Sequence, residues 1–260
     1  MHAYRSKGIK DIIAEFPGVG AILEGYGIGC GPCTVGICQL KDILEIHRLT
    51  KDAEEELMLR IEAEIYPERN IDVSSRTAVP DADDAGDITL SRPLQVLVEE
   101  HNFIKRWLAL IPTFAKDLDL GRGVDRQFAE GGIDLIRSYA DRLHHGKEED
   151  ILFTYFDVSA DIFQVIYEDH RKARALVQQM LSALEENNSQ VLADRLLEYA
   201  VLLEEHIHKE DEVLFPWLDS RLTADEQEEI MALFKKADNT LALNVQKYQD
   251  LIEMLGQQAR

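Results

Sequence analysis

Two stretches of this chain, HHGKEEDILF beginning at His144 and HIHKEDEVLFP beginning at His206, carry one pattern twice. Each has a histidine, a glutamate four residues later and then a short polar step into an aliphatic, Leu-Phe run. In an α-helix, residues four apart lie one above the other on the same face, so His144 with Glu148, and His206 with Glu210, can each aim an imidazole and a carboxylate at one point. Such a pair is half a metal site, and a fold that uses both must bring two helices face to face.

Further ligands come from histidines on apolar seams. Around His101 the seam reads Leu94, Leu97, Ile104, Leu108 and Ile111, and around His170 it reads Phe163, Ile166, Ala173, Val177 and Leu184. Both keep the three-and-four spacing of a buried stripe, so both histidines are expected to point inward. The same reading puts His144 in line with Ile136, Ala140 and Ile151, and His206 in line with Leu192, Leu196, Tyr199 and Leu203. His145 aligns with Arg137, Asp141 and Glu149, and His208 with Glu204, Glu205, Asp211 and Glu212, so both are expected outside. A carboxylate inside a helical core is costly unless it is paired or bound to a metal. Four histidines and two glutamates exceed the four ligands that close a tetrahedral zinc site. They suit two octahedral ions, each taking two histidines and one oxygen from each glutamate, with a position left open for a small ligand. Tyr167, one turn before His170, is a candidate hydrogen-bond partner for the site.

From about Ser91 to Leu222 these motifs resemble a hemerythrin-like domain, the HHE cation-binding family. That resemblance implies an up-down four-helix bundle around a non-haem di-iron centre, with His101, His144, Glu148, His170, His206 and Glu210 as its ligands. Oxygen-carrying members place two histidines four apart on the third helix, and here the residue four after His170 is Arg174. The set is therefore similar to the four-histidine, two-glutamate variety of the iron-centre repair and nitrosative-stress branch. Ferritin-like bundles, in which a glutamate precedes a histidine by three, do not match these seams.

Organisation along the chain follows from periodicity. Residues 1–66 read as a small helical, cysteine-containing domain, 67–92 (with its PDADDAGD run) as an exposed linker, and 93–260 as the bundle with an extra C-terminal helix. The bundle helices are expected over about 93–117, 123–154, 158–186 and 189–219. A fifth starts at Thr223, whose spacing to Glu226 is that of a capping box, and runs on to the terminus. A formal charge of −21 would repel nucleic-acid phosphates and anionic lipid, so neither is an expected partner. No apolar run is long enough to span a membrane, and the charged first residues lack a signal-peptide core, which predicts a cytoplasmic protein.

The three cysteines lie within nine residues, too few and too close for a disulfide framework. Cys30-Gly-Pro-Cys33, followed by Cys38 and His47, is open to three readings: a redox dithiol with Cys38 as resolving thiol, an iron–sulfur cluster, or a zinc site. Residues 5 to 50 resemble the short cysteine-bearing domain that precedes the bundle in iron-centre repair proteins, although those carry adjacent cysteines. Together these resemblances imply a di-iron protein that handles nitric oxide, peroxide or oxygen, or that delivers iron to damaged iron centres. Its partners would then be a small diatomic ligand or peroxide, and iron–sulfur proteins or an electron donor. A di-iron oxidoreductase and a non-catalytic oxygen or iron sensor are both compatible with the residues.

Overall fold

The computed structural model describes residues 2–5, 7–28, 39–41, 49–69, 71 and 90–258. Cys30, Cys33, Cys38 and His47, and most of the expected linker, lie outside the described residues. The protein is all-α: among the described residues the only extended pairing is an isolated antiparallel bridge between Gly8 and Gln39. None of the described helices is long and apolar enough to cross a membrane.

The chain divides into two compact units, one comprising Met1–Thr89 with Glu212–Ser220, the other Leu90–Asp211 with Arg221–Arg260. In the first, α1 (His2–Arg5), α2 (Ile9–Glu15), α3 (Gly18–Glu24) and α4 (Lys51–Ile65) surround a small core of Ile9, Ile12, Val19, Leu23, Leu57 and Ile61. Pro17, which cannot donate a backbone hydrogen bond, stands between α2 and α3, and the Thr50 hydroxyl caps α4 by accepting from the Ala53 N–H at 3.3 Å.

The second unit holds the bundle. Its first helix is α5 (Arg92–Leu108), which gives way to the short α6 (Ile111–Lys116). The expected single helix breaks there because Pro112 sits in the first turn of α6 and cannot continue the hydrogen-bond ladder of α5. The second bundle helix runs through α7 (Gly123–Leu135), a π-helical stretch over Ile136–His145 and α8 (Gly146–Asp150). The third is α9 (Asp161–Glu185), and the fourth is α10 (Ser189–Lys209), which widens into a π turn over Glu210–Leu214. Two C-terminal helices follow, α11 (Ala224–Leu241) and α12 (Val245–Gln258). The capping box at Thr223 and Glu226 forms, but the helix it starts ends at Ala242, which adopts a left-handed conformation (φ 44°), so one expected helix becomes two.

Burial follows the seams. Trp107, Ile104, Met180, Leu196, Tyr199 and Leu203 are at most 1 % exposed and fill the bundle core below the histidines. Gly132 is required by packing: a Cβ there would collide with the Trp107 ring, so its absence lets α5 and α7 approach.

Candidate metal centre

His101, His144, Glu148, His170, His206 and Glu210, one or two from each bundle helix, are all at most 1 % exposed and meet at one level of the bundle. They do so with a repeated plan. Glu100-His101 on the first helix answers to Asp169-His170 on the third, and His144, Lys147, Glu148 and Glu149 on the second answer to His206, Lys209, Glu210 and Asp211 on the fourth. Within the first half, the His144 Nδ1 donates to Glu100 at 3.0 Å while Lys147 donates to the other Glu100 oxygen at 2.5 Å. Within the second, Lys209 donates to Asp169 at 2.7 Å and the His206 Nδ1 faces the same carboxylate at 3.7 Å, the loosest of these contacts.

Across the halves the pairing is exchanged. The His101 Nδ1 donates to Asp211 at 2.7 Å, with Lys105 on the other Asp211 oxygen at 2.6 Å. The His170 Nδ1 donates to Glu149 at 2.5 Å, with Arg174 on that oxygen at 2.9 Å. Lys105 and Arg174 each lie four residues after their histidine, so Arg174 occupies its position as the counterpart of a lysine. Every one of these histidines thus has Nδ1 directed at a carboxylate that is itself held by a cation. That is the outer shell which fixes the ring and raises the basicity of Nε2 in metal-binding histidines.

The duplicated plan is broken at one position. His145 corresponds to Ile207 in the other half, and both are buried, at 2 % and 1 % exposure. The His145 ring stacks on His170 with centroids 3.8 Å apart, and its Nδ1 lies 3.4 Å from Asp141, which also accepts from Arg174 at 2.7 Å. The expectation that His145 faces outward is therefore corrected. It rested on α-helical angles, and the helix is π-helical from Ile136 to His145: the wider ring turns through fewer degrees per residue, so the adjacent His144 and His145 both fall on the inner face. His208 is exposed, as its seam predicts. Tyr167 is half-buried and packs edge-on against Phe153, with centroids 5.8 Å apart.

Inside this ring of supports the donor atoms converge. Two groups form, His101, His144, Glu148 and Glu210 in one, and His145, Glu148, His170 and His206 in the other, each with its candidate ligand atoms within 4.8 Å of one another. The division is two histidines against three, where the sequence reading expected two and two. Glu148 belongs to both groups, 3.5 Å from the Nε2 of His144 and from that of His170. Glu210 lies 3.2 Å from the Nε2 of His206 and from that of His101. The Nε2 atoms of His170 and His206 face each other at 3.1 Å. All four carboxylate oxygens of Glu148 and Glu210 are buried without a hydrogen-bond donor, as is the His144 Nε2. Buried carboxylate oxygens that no hydrogen bond satisfies are expensive, and cations between them would satisfy them. Imidazole nitrogen and carboxylate oxygen in this number fit two divalent first-row ions better than one.

The electrostatics of these side chains point the same way. Burial, together with the neighbouring Glu210 charge, pushes the Glu148 carboxyl well above the usual range. Burial opposes charge on His206, but the Glu210 and Asp169 carboxylates outweigh it and lift its pKa to about 9. Burial and the nearby histidines depress His145 to about 4. A metal requires neutral imidazole, so uptake by the metal-free chain is expected to strengthen as pH rises from about 6.5 to 9 and then level off, as the His206 proton becomes easier to displace. The stability that protonated His206 lends the metal-free fold is complete below its unfolded pKa and lost as pH rises through about 9. Chelator competition and thermal melts across that window test both statements, and uptake that does not vary with pH would contradict them.

Sequence reasoning missed the supporting shell. Glu100, Asp169, Glu149 and Asp211 each sit beside a ligand candidate, and Lys147 and Lys209 each three residues after a histidine, but apolar periodicity does not single them out. The signal was present in the repeat, since acid-His precedes His-x-x-Lys-Glu in both halves.

Residues 92–218 match the model of the Hemerythrin family, described as the hemerythrin HHE cation binding domain. Neither the curated proteins nor the solved structures gave a match.

Proposed function

We propose that the hemerythrin HHE cation-binding domain of residues 92–218 holds two iron ions and uses them to handle nitric oxide, peroxide or oxygen, or to pass iron to damaged iron centres. The observation that carries this reading is the set of four buried oxygens of Glu148 and Glu210 with no donor, ringed by histidines whose other nitrogens are directed at carboxylates. Iron would supply a reversible ferrous–ferric couple and an open position for a small ligand.

The chain's own residues set the conditions for that chemistry. Glu148 and Glu210 would be shared by the ions and absorb changes in charge, and the histidines would hold geometry through their carboxylate partners. The two half-sites differ: a third histidine, His145, faces the side that also carries His170 and His206. The half-site of His101 and His144 has fewer nitrogen donors and is the one we assign to an exogenous ligand. In this reading Cys30, Cys33 and Cys38 return electrons or exchange iron, as a dithiol, an iron–sulfur cluster or a zinc site.

Anaerobic purification, metal analysis and optical spectra during titration with oxygen, nitric oxide and peroxide test the proposal. About two irons per chain and turnover with one of these ligands are expected; a metal-free chain that does not load iron would refute it, and a reversible adduct without turnover would instead indicate a sensor. Replacing His145 with isoleucine, the residue its counterpart position carries, should preserve the fold and lower affinity for one ion by tenfold or more. Replacing His208 with alanine should change neither metal content nor melting temperature. Equal metal binding by the wild-type chain and His145→Ile would remove His145 from the site.

A further inference from the structure

A pocket of about 520 Å³ opens beside the metal centre, between the π-helical stretch and α9, with His145 in its wall. Its volume lies in the range of small-molecule sites. In a chain of net charge −21 it collects three guanidinium groups, those of Arg137, Arg142 and Arg174. The π geometry is the reason: residues five apart in an α-helix are rotated by about 140°, whereas the i to i+5 repeat of a π-helix brings them to one side. Arg137 and Arg142, both inside the stretch Ile136–His145, therefore line the same pocket.

Most of the acids in the wall are already engaged. Asp134 accepts from Lys247 at 2.7 Å and from the Tyr248 hydroxyl at 3.0 Å. Asp141 and Glu149 are held by Arg174 and by the histidines of the centre. Asp150 is exposed at the rim. Arg137 and Arg142 are exposed and form no ion pair among the described residues.

We propose that this pocket binds a small oxyanion, free or carried on a small organic molecule, between Arg137, Arg142 and Arg174, and that its occupancy is felt at the metal centre. Planar guanidinium groups are suited to carboxylate and phosphate oxygens. The route inward is direct, because Arg174 shares oxygens with two histidines. Asp141 Oδ1 meets both Arg174 Nε (2.7 Å) and His145 Nδ1 (3.4 Å), and Glu149 Oε1 meets both Arg174 Nη2 (2.9 Å) and His170 Nδ1 (2.5 Å). An anion that draws the guanidinium toward the pocket weakens its hold on both carboxylates and leaves them more strongly bound to the histidine N–H groups. His145 and His170 both stand on the three-histidine side. This coupling rests on the proposed metal role of those histidines; the binding site itself does not.

The test uses the metal-free full-length chain, with inorganic phosphate and acetate as probes in separate titrations and chloride as the ionic-strength control. Calorimetry is expected to show one phosphate or one acetate per chain, and Arg137→Ala/Arg142→Ala should weaken that binding by about tenfold or more. Both arginines are exposed, and circular dichroism of the variant verifies that it folds. The preferred probe tells whether the group recognised is a phosphate or a carboxylate. In nitrogen-15 spectra of the imidazoles, the probe should shift His145 and His170 and leave His101, on the two-histidine side, in place. No binding to the metal-free chain, equal binding by the double variant, or binding that appears only after metal loading would each overturn the proposal. Iron loading without phosphate or acetate binding would sink this site alone, and anion binding by a chain that never takes up iron would sink the di-iron reading alone.

Discussion

Glu148→Leu is expected to move stability in opposite directions in the two states of the protein. In the metal-loaded chain it removes the carboxylate common to both ligand groups, so bound metal should fall from about two ions per chain to well below one. The stabilisation that binding gives the folded state disappears with the metal. In the metal-free chain the same change removes two fully buried oxygens that have no hydrogen-bond donor and replaces them with an apolar side chain of similar reach. Relief of such desolvation is worth about 1–3 kcal/mol, or roughly 2–4 °C in melting temperature per kcal/mol for a protein of this size. The pH dependence follows too. The Glu148 pKa is raised in the fold, so the native state binds more protons than the unfolded chain above the ordinary carboxylate range, and metal-free stability falls as pH rises. Glu148→Leu should flatten that slope. A variant that melts lower than wild type when both are metal-free would show that Glu148 is satisfied without a cation, and the strongest argument for the centre would go with it.

How much of this was legible in the sequence depends on which helical geometry each residue obeys. His101 and His170 lie on ordinary α-helical turns, where the three-and-four spacing of Leu97, Ile104, Ile166 and Ala173 places them inward, and the structure buries them there. Glu148 and Glu210 were legible from their spacing of four to a buried histidine, a relation that survives although His144 lies in one π-helical stretch and Glu210 begins another. His145 was not, because its inward direction comes from a change of helical pitch that no periodicity of apolar residues announces. The break at Ala242 was equally hidden: alanine favours helix, yet here it takes a left-handed φ, and beyond it Leu251 of α12 packs closely over Gly131 of α7. The carboxylates that hold the histidines escaped for another reason. A charged residue at a helix surface and one that reaches sideways to a neighbouring helix have the same seam position, and only the pairing of helices distinguishes them.

Lys147 is the clearest case, and its replacement is the second large expected effect. It is 1 % exposed, with Nζ 2.5 Å from Glu100 and 2.6 Å from Asp238 of α11, and 5.5 Å from the centre of the Phe234 ring. A lysine is seldom buried to this degree unless paired, and here both partners have a second role: Glu100 orients His144, and Asp238 attaches a helix that lies beyond the family match. Lys147→Met keeps the stem and removes the charge, leaving the Glu100 carboxylate buried with the histidine as its remaining partner. Breaking a buried pair in this way costs about 3–5 kcal/mol, which chemical denaturation of the metal-free chain would register. With Glu100 less constrained, His144 loses its fixed ring orientation, and affinity at the His101–His144 half-site is expected to fall about 10- to 100-fold. Lys209→Met makes the converse comparison, since Lys209 holds Asp169 beside His206 in the other half. The duplicated plan requires the two variants to weaken different ions. If stepwise metal titration shows both variants losing the same ion, or Lys147→Met losing stability with its metal affinities unchanged, the lysines brace the bundle and do not position the histidines.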